Sequence, residues 1–146
     1  MGVGPFCVLT MDNTFTAFVA VEPLPCPRPR IRVRGKFGQA YYPAAYKKWR
    51  AAFIKALPSL TRTFTRACHV EIELVCTKAR TSKLTLPKGD VDNYAKSILD
   101  SLTDAKLWLD DKQVARLEVT KRFANKGETA GIRLHVTENT WPDTNP

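Results

Sequence analysis

The residues best suited to chemistry are carboxylates, gathered into a short stretch of an otherwise basic chain. Asp90 and Asp92 stand two apart in Gly89-Asp90-Val91-Asp92-Asn93-Tyr94-Ala95-Lys96, and a second acidic pair, Asp110-Asp111, follows downstream. Hard cations such as Mg2+ want oxygen ligands and usually take one or two protein carboxylates together with phosphate and water. If the loop and the later turn meet in space, three carboxylates surround one site. That combination suits phosphodiester cleavage, in which a cation binds the scissile phosphate, activates a water and stabilises the leaving oxygen. Lys96, one turn beyond Asp92, is placed to neutralise charge growing on a phosphate.

Each of these residues also has a plainer reading. Asp90 or Asp92 could cap a helix, although neither has Glu or Gln three residues on to complete a capping box. Asp92 and Lys96 fit an ordinary i,i+4 surface pair. Asp110 and Asp111 fit a turn. An isolated D-x-D is a weak motif, so both readings stay open on these residues alone.

The charge balance narrows the partner. Lys and Arg number 23 against 14 Asp and Glu, a net charge of +9, which suits a protein that meets a polyanion. The placement of the cations matters more than their number. Arg28, Arg30, Arg32, Arg34 and Lys36 fall on alternate positions, with Ile31 and Val33 between them. In an extended chain, residues two apart point the same way, about 7 Å from each other. Such a row can follow a phosphate backbone, and five cations without an interleaved acid repel one another unless a polyanion is present. The alternative is an edge strand protected by charge. Lys88, just before the first aspartate pair, adds a cation at the mouth of the acidic site.

Elements must exist to position these groups. Residues 14–21 are β-branched and aromatic and read as a strand. The segment 23–30 carries four prolines and is expected to be an extended connector. Residues 43–57 form a helix, with Pro43 in the first turn and Tyr46, Trp49, Phe53 and Leu57 on one stripe. Residues 69–77 alternate as a half-buried strand, 78–89 form a lysine-bearing loop, and a second helix runs from Asp92 to about Leu102. Its inward residues are Ala95, Ile98, Leu99 and Leu102. A strand over 114–123, a turn at Asn125-Lys126-Gly127 and a strand over 131–137 follow, and the last two strands are expected to pair as a hairpin. Residues 139–146 read as a loose tail. The order β-α-β-α-β-β describes one α+β domain, a mixed sheet with its two helices on one side.

Other classes find little support. No apolar run approaches the roughly 20 residues of a membrane span, and Met1 to Ala20 lacks the pattern of a secretory signal. The expected location is the cytoplasm. Cys7, Cys26, Cys68 and Cys76 have no C-x-x-C or histidine spacing that suggests zinc, and in a reducing compartment they are plain thiols. Cys76, in Glu73-Leu74-Val75-Cys76, reads as a buried small hydrophobe.

Two blocks carry a family likeness. Gly-Asp-Val-Asp-Asn-Tyr-Ala-Lys-Ser-Ile-Leu-Asp-Ser-Leu over 89–102 and Leu-Trp-Leu-Asp-Asp-Lys-Gln-Val over 107–114 closely resemble the signature of the RusA family of Holliday junction resolvases. That signature is a D-x-D-N-x-x-K run opening a helix, an aspartate near the helix end, then an aromatic stretch into D-D-x-Q-V. The resemblance extends more weakly over residues 14–138. It implies a Mg2+-dependent endonuclease, with Mn2+ as a substitute, that acts as a homodimer and nicks opposing strands of a four-way junction in DNA recombination and repair. It assigns metal binding to Asp90, Asp92 and Asp111, an essential lysine to Lys96, and lesser roles to Asn93, Asp100 and Asp110. Some relatives have a basic residue directly before the first aspartate, where this chain has Gly89. Relatives are commonly carried by phages and prophages, which implies a bacterial host cell. A nuclease for other branched DNA and a DNA-binding module that cuts nothing are the rival readings.

Overall fold

The computed structural model describes residues 13–139. Among these residues, six strands and two helices follow one another: β1 Thr14–Val19, β2 Arg30–Arg34, β3 Phe37–Tyr41, α1 Ala44–Ala56, β4 Cys68–Cys76, α2 Val91–Asp104, β5 Val114–Phe123 and β6 Gly131–Glu138. A single 3-10 turn, Asp111–Gln113, leads into β5. The elements expected from periodicity are present, with ends displaced by one or two residues. Cys7 and residues 140–146 of the expected tail lie outside the described residues, whereas Asn139 donates its N–H to Ala67 O at 2.6 Å.

β1, β6, β4 and β5 form one sheet in that order. The alternation read from sequence decides which side chains turn inward. Phe15, Ala17 and Val19 of β1, Val70, Ile72 and Leu74 of β4, and Ile132, Leu134 and Val136 of β6 are buried. They share one core with Phe53 of α1 and Ile98 and Leu102 of α2. The opposite face carries Thr16, Glu71, Glu73, Glu118, Thr120, Arg133 and His135. The sheet therefore has one buried and one open face, as α+β packing requires. β1 commits Phe15, Ala17 and Val19 to this core, while Thr14, Thr16 and Phe18 lie half-exposed on the other face, Phe18 beneath the Arg133 guanidinium.

The expected hairpin of the last two strands does not form. Ile72 on β4 pairs with Val119 of β5 on one side and with Leu134 of β6 on the other, so β4 separates them. β4 and β5 run parallel, because α2 lies between them in sequence and supplies the crossover a parallel pair needs. β4 takes the centre because it is the strand most completely apolar and buried, through Val75 and Cys76 at its end. The turn signal at Asn125–Gly127 is real, with Gly127 at φ +80°. It reverses the chain locally, and the segment then crosses β4 rather than closing a tight hairpin.

The basic row also finds a partner. β2 pairs antiparallel with β3, turned at Gly35 with φ +63°, and these two strands form a separate ribbon outside the main sheet. Cys26, Cys68 and Cys76 are buried free thiols. Burial pushes the Cys68 thiol up to about 11. No helix among the described residues is long and apolar enough to cross a membrane.

Candidate functional site

The first aspartate pair stands at the mouth of α2. Asp90 is the N-cap residue, in extended conformation (φ −74°, ψ 142°), yet its carboxylate caps nothing. Asp92, in the first turn, accepts a hydrogen bond at Oδ1 from Asn93 N–H at 3.0 Å. Both residues are exposed, so the capping reading fails for Asp90 and its oxygens stay available. Carboxylates here also benefit from the positive end of the helix dipole.

Two contacts fix the loop that leads into Asp90. Lys121 on β5 donates from Nζ to Pro87 O at 2.9 Å and to Gly89 O at 2.8 Å. A Cβ on Gly89 would lie 2.7 Å from Cε2 of the Tyr94 ring. That ring packs where a side chain on residue 89 would begin. The glycine that departs from the basic residue of some relatives is therefore the residue that lets this loop lie against α2.

The second acidic pair divides its roles. Asp110 caps the 3-10 turn, accepting from Lys112 N–H at 2.9 Å, and forms a capping box with Gln113. Gln113 Oε1 accepts from Leu109 N–H at 2.9 Å. Its Nε2 donates to Phe64 O at 3.1 Å and Arg66 O at 2.9 Å. Upstream, Leu107 and Trp108 are fully buried, and Trp108 Nε1 donates to Thr103 Oγ1 of α2 at 2.7 Å. The aromatic plug and the glutamine thus seat the turn against α2. The Lys112 N–H, and then Asp111, hold the Asp110 carboxyl below its usual range. Asp111 moves the other way: partial burial, the hydrogen bond shared with Asp110 and the charges of Asp110 and Asp100 push it up, with Lys96 opposing. Asp110 is spent on structure, and Asp111 carries negative charge its surroundings leave undercompensated.

Lys96 pairs with Asp100 rather than Asp92, at 3.3 Å from Nζ to Oδ2. Asp100 is the main cause of the raised Lys96 pKa, with smaller contributions from the Tyr42 hydroxyl and the Cys26 thiol against partial burial. The proline-rich connector lies alongside this helix. Cys26 N–H donates to Asn93 O at 2.9 Å, and Ser97 Oγ donates to Leu24 O at 2.7 Å. Asn93 serves the loop through its carbonyl, while its side chain is exposed.

The cations expected to meet a polyanion are displayed on the ribbon and beside it. Arg28, Arg30, Arg32, Lys36 and Lys88 are exposed; Arg34 belongs to β2, and its side chain lies outside the described part. Arg32 stacks over the Tyr41 ring at 4.7 Å. With Gln39 and Lys47 these two residues line a cavity of about 320 Å3. Lys121 and Lys47 were not singled out by the sequence, and Gln39, Tyr41 and Gln113 were given no role by it, although Gln113 stands in the D-D-x-Q-V block. Only Gln113 had a local signal, the Asp-x-x-Gln spacing of a capping box.

Asp92, Lys96 and Asp100 share α2, and Asp111 sits on the turn packed against that helix. The structure brings these carboxylates onto neighbouring elements. Among the described residues, however, no three Asp, Glu, His or Cys side chains group closely enough to hold a cation as they stand.

The family model described as "Endodeoxyribonuclease RusA" matches residues 20–136. The chain belongs to the RusA family. The crossover junction endodeoxyribonuclease RusA of Escherichia coli (strain K12) is 41% identical over 51 residues, 35% of this chain and 41% of that protein. The protein of the same name from Enterobacteria phage 82 shows the same identity over the same length. The aligned stretch thus spans about two-fifths of these relatives. Within this RusA-family chain, the first signature block is the mouth of α2, and the second is the capped turn seated by Gln113.

Proposed function

We propose that this chain is a structure-selective endodeoxyribonuclease that resolves four-way DNA junctions by paired nicks in opposing strands, using Mg2+ or Mn2+. The observation that carries the reading is the uncapped, exposed Asp90–Asp92 pair beside Lys96, with Asp111 on the adjoining turn. Asp90, Asp92 and Asp111 would hold the ion. Their hard oxygen donors suit Mg2+, and a cation relieves the acidic crowding that raises Asp111. Such an ion needs only one or two protein carboxylates when phosphate and water complete its shell. When bound, it supplies Lewis-acid activation of the phosphodiester and of the attacking water.

The chain's own groups supply the rest. Lys96, kept charged by Asp100, offsets negative charge that grows on the phosphate. Lys121 and Tyr94 hold the loop, so the two leading carboxylates are positioned before substrate arrives. The exposed Arg28, Arg30, Arg32, Lys36 and Lys88, together with Arg34 of the same row, grip the backbone of the arms, which makes binding steeply salt-dependent. A homodimer fits the task, because a two-fold axis gives two identical sites for two equivalent strands.

The test incubates purified protein with an end-labelled four-way junction, in Mg2+, in Mn2+ and in EDTA, beside Asp92→Asn and a linear duplex. Paired symmetrical nicks that need both the ion and Asp92, with duplex intact, support the resolvase. Nicks in flaps or forks at equal rate favour a broader nuclease for branched DNA. Binding without cutting under every condition removes the catalytic reading and leaves a DNA-binding module.

A further inference from the structure

The β2–β3 ribbon is unusual in what it leaves uncovered. Ile31 is 74% exposed, Val33 73% and Phe37 78%. Register explains why. Residues directly opposite in an antiparallel pair share a face. Ile31 stands opposite Ala40 and Val33 opposite Gly38, so two of the smallest residues leave both β-branched side chains standing clear. Arg30 and Arg32 stand opposite Tyr41 and Gln39 on the other face. Phe37 pairs with Arg34 next to the Gly35 turn. The outer end of the ribbon therefore shows Val33 on one face and Phe37 on the other, flanked by exposed Arg32 and Lys36. An apolar face this open calls for a partner, and the cations around it make a polyanion that exposes apolar surface the complementary one.

The roots of the ribbon are tied to the two helices. The connector into β2 is tied to α2 by Cys26 N–H and Asn93 O, 2.9 Å apart. The residue after β3, Tyr42, packs its ring against Tyr46 of α1, with centroids 5.1 Å apart. The connector that enters the ribbon is thus anchored beside the mouth of α2.

We propose that this ribbon is the element that distinguishes branched from continuous DNA, a reading that rests on the proposed action on junctions. A branch point exposes the flat faces of terminal base pairs, which a continuous duplex hides within its stack. Arg32, Gln39, Tyr41 and Lys47 cradle a backbone phosphate at the ribbon's base. Val33 and Phe37, supported by Ile31, pack against the exposed base-pair faces. Apolar side chains perform this wedge role in other DNA-bending proteins, and loss of base stacking on an aromatic weakens binding by about tenfold or more per base.

The experiment measures affinity in EDTA, where cleavage is suppressed, for a four-way junction and for a linear duplex with the same arm sequence. The proteins are wild type, the triple variant Ile31→Ser/Val33→Ser/Phe37→Ser, and Arg32→Ala/Lys36→Ala. All five side chains are exposed, and circular dichroism and a melting curve check that each variant folds. The triple variant is expected to lose at least about tenfold on the junction while its duplex affinity stays within about twofold of wild type. The arginine–lysine variant should weaken both substrates together. A junction-to-duplex ratio unchanged in the triple variant overturns the proposal. So does a shift in sedimentation that shows the triple variant has lost contact with a second copy, which would make this face a subunit interface. If wild type itself shows no preference for the junction, the resolvase reading fails first, and that outcome is distinct from either of these.

Discussion

The ring of Tyr94 occupies the space that a side chain on Gly89 would need, with Cε2 2.7 Å from an ideal Cβ position. The ring is itself confined, since Tyr94 is buried with its hydroxyl beside the Cys76 thiol. Gly89→Ala should therefore overpack the loop and cost about 1–3 kcal/mol. The cost should shrink in a Tyr94→Ala background, because the two residues are in direct contact and such pairs do not add. Thermal melts of the four proteins of a double-mutant cycle measure this. Additive changes would mean that the ring is not what excludes a side chain at position 89.

The adjacent aspartates of the 3-10 turn should separate under mutation. Asp110→Ala removes the cap on Lys112 N–H and is expected to cost about 1 kcal/mol of stability. Asp111→Asn leaves the cap intact, so its melting temperature should match wild type or exceed it, as the acidic crowding around it is relieved. On the proposed reading its nicking rate should drop by about 10²–10³, the range for removing one preorganised electrostatic group. Melting curves and junction cleavage rates for the two variants decide. If Asp110→Ala loses cleavage while Asp111→Asn keeps it, the assignment of roles is reversed.

What the sequence could reveal here depended on distance along the chain. The mouth of α2 was legible because Asp90, Asp92 and Lys96 lie within two turns, and the helix period alone places them. The twin roles of Asp110 and Asp111 were half legible: the pair reads as a turn, and the cap follows from Gln113. Lys121 was not legible at all. On β5 it looks like one more polar residue, and its bonds to Pro87 and Gly89 exist only because α2 folds β5 parallel to β4. The wrong pairing of β5 with β6 has the same origin. A turn signal such as Asn125-Lys126-Gly127 reports local reversal, while the pairing of β4 with a strand on each edge is a property of the whole sheet. β3 was missed because Gly38 and Ala40 are poor strand formers, and only pairing with β2 makes the segment extended.

Lys121→Met should loosen the loop without emptying the site of any carboxylate. Two hydrogen bonds from a charged donor to backbone carbonyls are lost, at an expected cost of about 1.5–3 kcal/mol. The methionine retains much of the apolar stem, so the change isolates the ammonium group. Amide hydrogen exchange at Gly89 to Asp92 should accelerate, while exchange in the centre of β4 should change only in step with global stability. Lys121→Arg keeps the charge and donors and should restore part of the protection. Uniform acceleration across the chain, with no excess at the loop, would show that Lys121 stabilises the sheet and does not position the aspartates.

In the segment between β5 and β6, Glu128 should contribute to stability against acid. Arg122 grips it with two parallel bonds, Nη1 to Oε1 at 2.6 Å and Nη2 to Oε2 at 2.7 Å, and Asn125 N–H adds a third at 2.8 Å. Chiefly through the Arg122 bonds, the Glu128 carboxyl is lowered from 4.5 to about 2. The folded chain therefore keeps Glu128 ionised to a lower pH than the unfolded chain does. Its contribution is fully present above the unfolded value and is lost as pH falls through the folded one. Wild type should thus lose stability between about pH 4.5 and pH 2 in part through this group. Glu128→Gln should be less stable than wild type at neutral pH, and the gap should close across that window. Melting temperatures of both proteins from pH 7 to pH 2 test it, in low salt so that an exposed pair is not screened away. A constant gap across the series would assign the effect of Glu128→Gln to the Asn125 turn rather than to ionisation.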